Sequence, residues 1–237
     1  MKFFIRKAGE RGHTQLDWLS SWHSFSFGRY YDPKHMFFGA LQVLNDDVIA
    51  PMNGFGMHAH NDMEIVTVVI KGELEHEDDM ETNSILKEGD IQVMSAGTGI
   101  MHAEFNHSKS DTLELFQIWI RPRELNTPPR YDEKHIDFLS WSNEWRVVVT
   151  GEQNTDSLWI NQDAYLSLGS FKKGTKFTYE PKSNKNGIYF FVIHGSVQVQ
   201  NQSLDPRDAM AMTDTEKIDS IALSDARVLC IEVPLEI

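Results

Sequence analysis

Cysteine is almost missing. Cys230 stands alone among 237 residues, so no intrachain disulfide can form and nothing points to an oxidising compartment. It lies in Val228-Leu229-Cys230-Ile231, an apolar run that suits a buried structural thiol better than a nucleophile. Long apolar runs are missing as well. None approaches the roughly 20 residues that span a bilayer, and Lys2-Phe3-Phe4-Ile5-Arg6-Lys7 is too short an apolar stretch for a signal peptide. There is no Lys/Arg run. The balance is 22 basic against 35 acidic residues, a net charge of -13, which argues against a direct nucleic-acid surface. We therefore expect a soluble, cytoplasmic chain with neither a membrane nor a nucleic-acid partner.

Long amphipathic helical patterns are also lacking. What is present is a series of short apolar runs separated by turn residues, the mark of an all-β sandwich or barrel. Strands are predicted over 38–44, 64–70, 72–76, 91–94, 113–120, 146–149, 166–171, 188–193, 196–200, 209–212 and 227–233. A short helix is predicted around Asp137–Trp141. The length allows one large all-β domain or two small ones. The boundary is expected within 121–145, where Pro122, Pro128 and Pro129 interrupt regular structure.

The halves read as two copies of one unit. A strand over 65–70 enters Lys71-Gly72-Glu73-Leu74, and a strand over 188–193 enters His194-Gly195-Ser196-Val197. In each copy a later turn ending in Asp (Glu88-Gly89-Asp90, Pro206-Arg207-Asp208) feeds an alternating strand. In that register His58 and His60 fall near Pro181 and Ser183, while His102 and Glu104 fall near Ser220 and Ala222. None of these four makes a His/Glu set, so one metal site is expected, in the N-terminal half.

That expectation rests on His58-x-His60 and His102-x-Glu104. On an extended strand residues i and i+2 point the same way. Two such strands side by side would aim three imidazoles and one carboxylate at one point, a donor set that mid-to-late first-row divalent metals favour. Four protein ligands leave two positions open on a six-coordinate ion, as catalysis requires. One His-x-His can arise by chance among ten histidines. The second pair follows a strand and a glycine-rich turn that would carry it beside the first. Glu64 has three readings: a ligand in place of Glu104, a supporting acceptor for a ligand N–H, or a core residue satisfied by backbone. We favour Glu104 as ligand and Glu64 as support. The other histidines take structural readings. His13, His35, His107 and His135 are solvated, His23 is packed and hydrogen-bonded, and His76 and His194 end strands. The aromatic set Trp18, Trp22, Phe25, Phe27, Tyr30, Tyr31, Phe37 and Phe38 packs an N-terminal arm across a sheet, or forms one wall of an apolar pocket.

The motifs resemble those of the pirin family, a branch of the cupin superfamily. His58-Ala59-His60-x3-Glu64 with Gly72 fits the first cupin motif, and Gly89-x5-Ser95-x-Gly97 with His102 and Asn106 fits the second. Met94-Ser95-Ala96-Gly97-Thr98-Gly99-Ile100-x-His102-x-Glu104-x-Asn106 is specifically pirin-like, as are Phe25-Ser26-Phe27-Gly28 with Tyr30-Tyr31-Asp32-Pro33, and Leu44-Asn45-Asp46-Asp47. The likeness covers nearly the whole chain. One departure stands out. Where such proteins often carry Asp-Ser-x-Gly-Asn in a hairpin turn, this chain has Asp78-Asp79-Met80-Glu81-Thr82 and so lacks the glycine.

The resemblance implies a bicupin of two stacked β-barrels. Residues 1–125 would form the metal-binding unit and 126–237 a metal-free one. It implies His58, His60, His102 and Glu104 as ligands of one divalent ion, iron first, with Ni, Cu, Mn or Zn as alternatives. It also implies quercetin 2,3-dioxygenase activity on a flavonol with O2; we take Glu104, with Glu64 as the second choice, to accept the substrate's proton. The alternative is a non-enzymatic regulatory or redox-sensing protein that binds metal and acts through a protein partner. A third reading, isomerase or related chemistry on a sugar or keto acid, predicts several polar groups converging on the pocket.

Overall fold

The computed structural model describes residues 1–137, 140–153 and 155–236. Its elements run β1 (Lys2–Arg6), a 3-10 turn (Ala8–Glu10), β2 (Gly12–Gln15), β3 (Leu19–His23), β4 (Leu41–Ile49), β5 (Gly54–His60), β6 (Glu64–Lys71), β7 (Glu73–Asp78), β8 (Asn83–Lys87), β9 (Asp90–Ser95), β10 (Ile100–Asn106) and β11 (Leu113–Ile120). They continue β12 (Arg130–His135), β13 (Glu144–Thr150), β14 (Leu158–Trp159), β15 (Tyr165–Phe171), β16 (Lys176–Tyr179), β17 (Asn186–His194), β18 (Val197–Val199), β19 (Gln202–Leu204), β20 (Ala209–Thr213), β21 (Ile218–Ala222) and β22 (Ala226–Pro234). No α-helix occurs among the described residues, hence none long and apolar enough to cross a membrane. Phe138 and Leu139, within the short helix expected around Asp137–Trp141, lie outside the described residues.

Each half is built from one seven-stranded and one four-stranded sheet. In the N-terminal half the orders are β12-β9-β6-β11-β4-β3-β2 and β5-β10-β7-β8. In the C-terminal half they are β1-β20-β17-β22-β15-β13-β14 and β16-β21-β18-β19. The chain is an all-β bicupin. The halves also exchange a strand. β1 pairs with β20 of the far half, and β12, inside the proline-rich connection, turns back to pair with β9.

Strand alternation sets both interfaces. Along β11, Phe116, Ile118 and Ile120 join a shared core with Tyr189, Phe191, Leu229 and Ile231 of the other half. The alternate residues Leu115 and Trp119 pack inside the N-terminal half. Strands buried on both faces read as continuous apolar runs, which is why 113–120 and 188–193 are so plain in the sequence. Cys230 is buried in the C-terminal core, as its setting implied.

The repeat is real at the glycine hairpins. Gly72 and Gly195 both adopt positive φ, +88° and +75°. An added Cβ would meet the Thr112 carbonyl oxygen at 2.8 Å in one and the Asp225 carbonyl oxygen at 2.1 Å in the other. Gly195→Ala should therefore cost about 1–3 kcal/mol in a denaturant titration, from φ strain plus the close backbone. An unchanged midpoint would remove this account of the turn.

Aligning these glycines corrects the internal register by two residues. Leu74 pairs with Asn106, and its counterpart Val197 pairs with Ala222. His102 and Glu104 thus match Ile218 and Ser220, and His58, opposite His102, matches Tyr179 opposite Ile218. The second copy still offers no His/Glu set. The register slips in the connections that flank these strands: the one from β16 to β17 is two residues longer than that from β5 to β6, and the one from β20 to β21 is two residues shorter than that from β9 to β10.

Candidate metal centre

β5 and β10 are antiparallel neighbours, with His102 directly opposite His58 and Ile100 opposite His60. Alternation places His58, His60 and His102 on one face of this four-stranded sheet. Ring centroids are 4.4 Å apart for His58–His102, 4.9 Å for His58–His60 and 5.0 Å for His60–His102. One nitrogen from each lies within 4.8 Å of the others. Glu104, two residues on and buried, lies within the same reach of His102, in a second group completed by His76. The structure thus brings the three expected imidazoles together, with the expected carboxyl behind His102.

The donor chemistry fits a metal ion. The His58 Nδ1–H donates to the Gly56 carbonyl at 2.8 Å, since a carbonyl can only accept, and this leaves the Nε2 lone pair free. Both ring nitrogens of His102 are buried without a hydrogen-bond partner, a costly state for polar atoms that metal ligation would relieve. Burial, reinforced by the neighbouring imidazoles, pushes His60 down to about 4 and His102 down to about 2. Both rings are neutral at ordinary pH, the form that ligates. Glu104 accepts from Gln117 Nε2 at 3.0 and 2.8 Å and from Thr67 at 3.4 Å. Burial first, then the charge of Asp47, pushes its carboxyl up to about 7. Both groups of clustered ligand-type residues found among the described residues lie in the N-terminal half.

Glu64 does not face this site. The chain turns between β5 and β6, with Asp62 at φ +46°, so Glu64 falls in phase with Val66 and Val68 and looks toward the other half. It accepts from Ser95 Oγ at 2.7 Å and from the Asn161 amide at 3.2 Å. The expected support role assumed one extended strand from His58, and the turn removes that premise.

His76 is the second correction. It does not end its strand but lies within β7, fully buried, with its ring centroid 5.4 Å from that of His102. Its Nε2 lies 3.2 Å from Asp78 Oδ2, and its Nδ1 is buried without a partner. Burial pushes this imidazole down against the pull of Asp78. The i, i+2 spacing of His76 and Asp78 was the available signal. The expected structural readings hold for His23, buried and bonded to Asn45 at 2.8 Å, and for His194 at the end of β17. Of the aromatic set, Phe25 and Phe38 pack the shared core. Phe27 instead packs on Trp119 (5.4 Å), which stands edge-on to His60 (4.9 Å), giving the site an apolar flank.

Asp47 lies deeper in the same half, where it accepts from Ser21 Oγ. Burial pushes it from 3.8 up to about 7. A carboxyl whose folded pKa is raised holds its proton longer in the folded state. Its contribution to stability therefore falls as pH rises from about 4 to about 7, and above that the penalty is complete. Asp47→Asn removes the penalty. In the metal-free protein it should match the parent near pH 4 and exceed it at pH 8 by up to roughly 4 kcal/mol, at 1.36 kcal/mol per pKa unit. Denaturant midpoints at the two pH values test this, and a gain equal at both would disprove it.

Comparison with known proteins agrees with the geometry. The Pirin family profile matches residues 5–120, and that of the quercetinase C-terminal cupin domain matches 147–233. The chain is 39% identical over 231 residues to a quercetin 2,3-dioxygenase of Escherichia coli K12, covering 98% of each. It is 38% identical over 222 residues to a pirin-like protein of Caulobacter vibrioides, covering 93% of this chain and 95% of that one. The crystal structure of the bacterial pirin YhhW from Escherichia coli in complex with nickel(II) superimposes with a TM-score of 0.93 at 38% identity, covering 98% and 99% of the two chains.

Proposed function

Because the chain belongs to the pirin family, we propose that it is a metal-dependent dioxygenase of the quercetin 2,3-dioxygenase type, which opens a flavonol ring with O2 and releases carbon monoxide. The observation that carries this is the convergence of His58, His60 and His102 into one nitrogen-rich cluster beside a buried carboxyl. We assign these three imidazoles and Glu104 as the ligand set for one divalent ion. Iron is our first choice, and the nickel complex of a relative supports a first-row metal. Such an ion supplies Lewis acidity, which lowers the pKa of a hydroxyl bound to it.

The remaining chemistry falls to the chain. Glu104 is the group we assign to take the proton of the flavonol 3-hydroxyl, since it is the buried carboxyl beside His102. Gln117 fixes that carboxyl through its Nε2 and accepts from the Trp119 indole at 3.3 Å. One glutamine thus links the base to the aromatic flank against which a planar substrate would rest. The half-buried His58 and His60 form the side of the cluster nearest solvent.

Elemental analysis of the purified protein, followed by oxygen uptake and carbon monoxide release with a panel of flavonols, tests this reading. We expect about one metal ion per chain and flavonol-dependent uptake of O2. Bound metal without uptake on any flavonol would overturn the activity and favour a binding protein that works through a partner.

A further inference from the structure

The donor chemistry leaves one requirement unmet. A ligating imidazole commonly donates its other N–H to a carboxylate, a carbonyl or water, which fixes its tautomer and orientation. His58 has the Gly56 carbonyl for this purpose. His102, the most buried of the three imidazoles, has no acceptor on either nitrogen. An unpaired acceptor beside it is Nδ1 of His76: the two rings are not hydrogen-bonded in the structure, but with Glu104 they belong to one cluster whose ligand atoms lie within 4.8 Å, close enough for a small ring movement to join them.

We propose that Asp78 and His76 are positioning residues that orient His102, with Asp78 setting the His76 tautomer and His76 Nδ1 accepting the ring N–H of His102. This rests on His102 being a metal ligand. The Asp78 carboxylate is itself fixed. Its Oδ1 accepts the backbone amides of Met80 at 2.9 Å and Thr82 at 3.0 Å. That leaves Oδ2 for the His76 Nε2–H at 3.2 Å. With the proton on Nε2, Nδ1 of His76 can only accept. The turn that binds Asp78 is the one lacking the family's glycine. Glu81 takes up the left-handed conformation there at φ +69°, and the two amide bonds to Asp78 hold the turn together without it.

The same geometry makes Asp78→Asn an informative variant. Met80 and Thr82 both donate at the Oδ1 position, so the asparagine oxygen must occupy it and the NH2 must face His76. That NH2 donates to Nε2, drives the His76 proton onto Nδ1, and points an N–H where His102 needs an acceptor. A purely packing role for Asp78 predicts little change from so conservative a replacement. His76→Phe keeps the ring and removes the acceptor. His76→Asn places an amide oxygen near the former Nδ1 and restores it.

The test is nickel(II) titration of each full-length variant, alongside ring nitrogen NMR of the metal-free proteins. We expect wild type to show His76 protonated on Nε2, and Asp78→Asn to show it on Nδ1. Nickel affinity should fall about 10–100-fold in His76→Phe and in Asp78→Asn, the usual loss when a ligand's supporting partner is removed. His76→Asn should stay within a few-fold of wild type. Wild-type affinity in both His76→Phe and Asp78→Asn overturns the proposal and leaves the metal site standing. A loss in His76→Phe as complete as that in His60→Ala would make His76 a ligand, and also overturns it. Failure of wild type itself to bind nickel would refute the metal site and this inference together.

Discussion

His60→Ala is expected to abolish metal binding and oxygen uptake with quercetin while leaving the fold intact. Structure argues for both parts. His60 lies at the end of β5, half-buried, touching His58, His102 and Trp119 through its ring. Truncating a partly exposed side chain at a strand end empties little core, so circular dichroism and the melting curve should stay near wild type. Binding has no such reserve. Disturbing a mere supporting partner already costs about 10–100-fold in metal affinity, so deleting one of three converging imidazoles should cost more than about 100-fold. Turnover should fall with occupancy. A folded His60→Ala protein with undiminished oxygen uptake would falsify the proposed mechanism, because the cluster would then be irrelevant to the chemistry.

The part of this site that can be read from the sequence is the part written as local spacing. His58-x-His60 and His102-x-Glu104 announce strand faces because alternation is exact over two residues, and β5 and β10 do lie side by side. What depends on where a strand stops or turns is hidden. Glu64 looks like a partner of His58 by counting, but the turn at Asp62 reverses its face. His76 looks like a strand end because the apolar alternation of 72–76 fades there, yet β7 continues to Asp78. Pairing with β10 and β8 carries those polar residues.

The same contrast holds for the fold. β11 shows its full extent in sequence because both of its faces are buried. β12, with the sequence Arg-Tyr-Asp-Glu-Lys-His, has no apolar signature and sits just after two prolines. It is a strand because the β9 edge supplies its hydrogen bonds. Edge strands defined by their neighbours cannot be seen in a window of their own residues.

Asp46→Ala should be among the most damaging single changes to stability, at about 3–5 kcal/mol. The residue sits in Asn45-Asp46-Asp47 on β4, where alternation sends Asn45 and Asp47 into the N-terminal half and Asp46 toward the other half. Its Oδ2 accepts from Arg11 at 3.1 Å and from Arg207 at 2.9 Å. The Arg11 side chain is only 3% exposed, and its guanidinium lies against the rings of Trp22 and Phe191. Arg207 comes from the C-terminal half, lies over Phe116 and donates also to the Ile193 carbonyl. Without Asp46, two guanidinium groups share an apolar seam with no anion between them, and Arg11 cannot reach water. Burial already pulls the Arg11 pKa down, and Asp46 opposes that pull. For a chain of this size the loss should lower the melting temperature by on the order of 10 °C. The control is Lys2→Ala, which breaks a pair with side chains 85% and 62% exposed and should cost less than about 1 kcal/mol. Equal losses in the two variants would mean that the seam is wet. The halves would then be joined by apolar packing alone, and Arg11→Met beside Asp46→Ala would show no coupling in a double-mutant cycle.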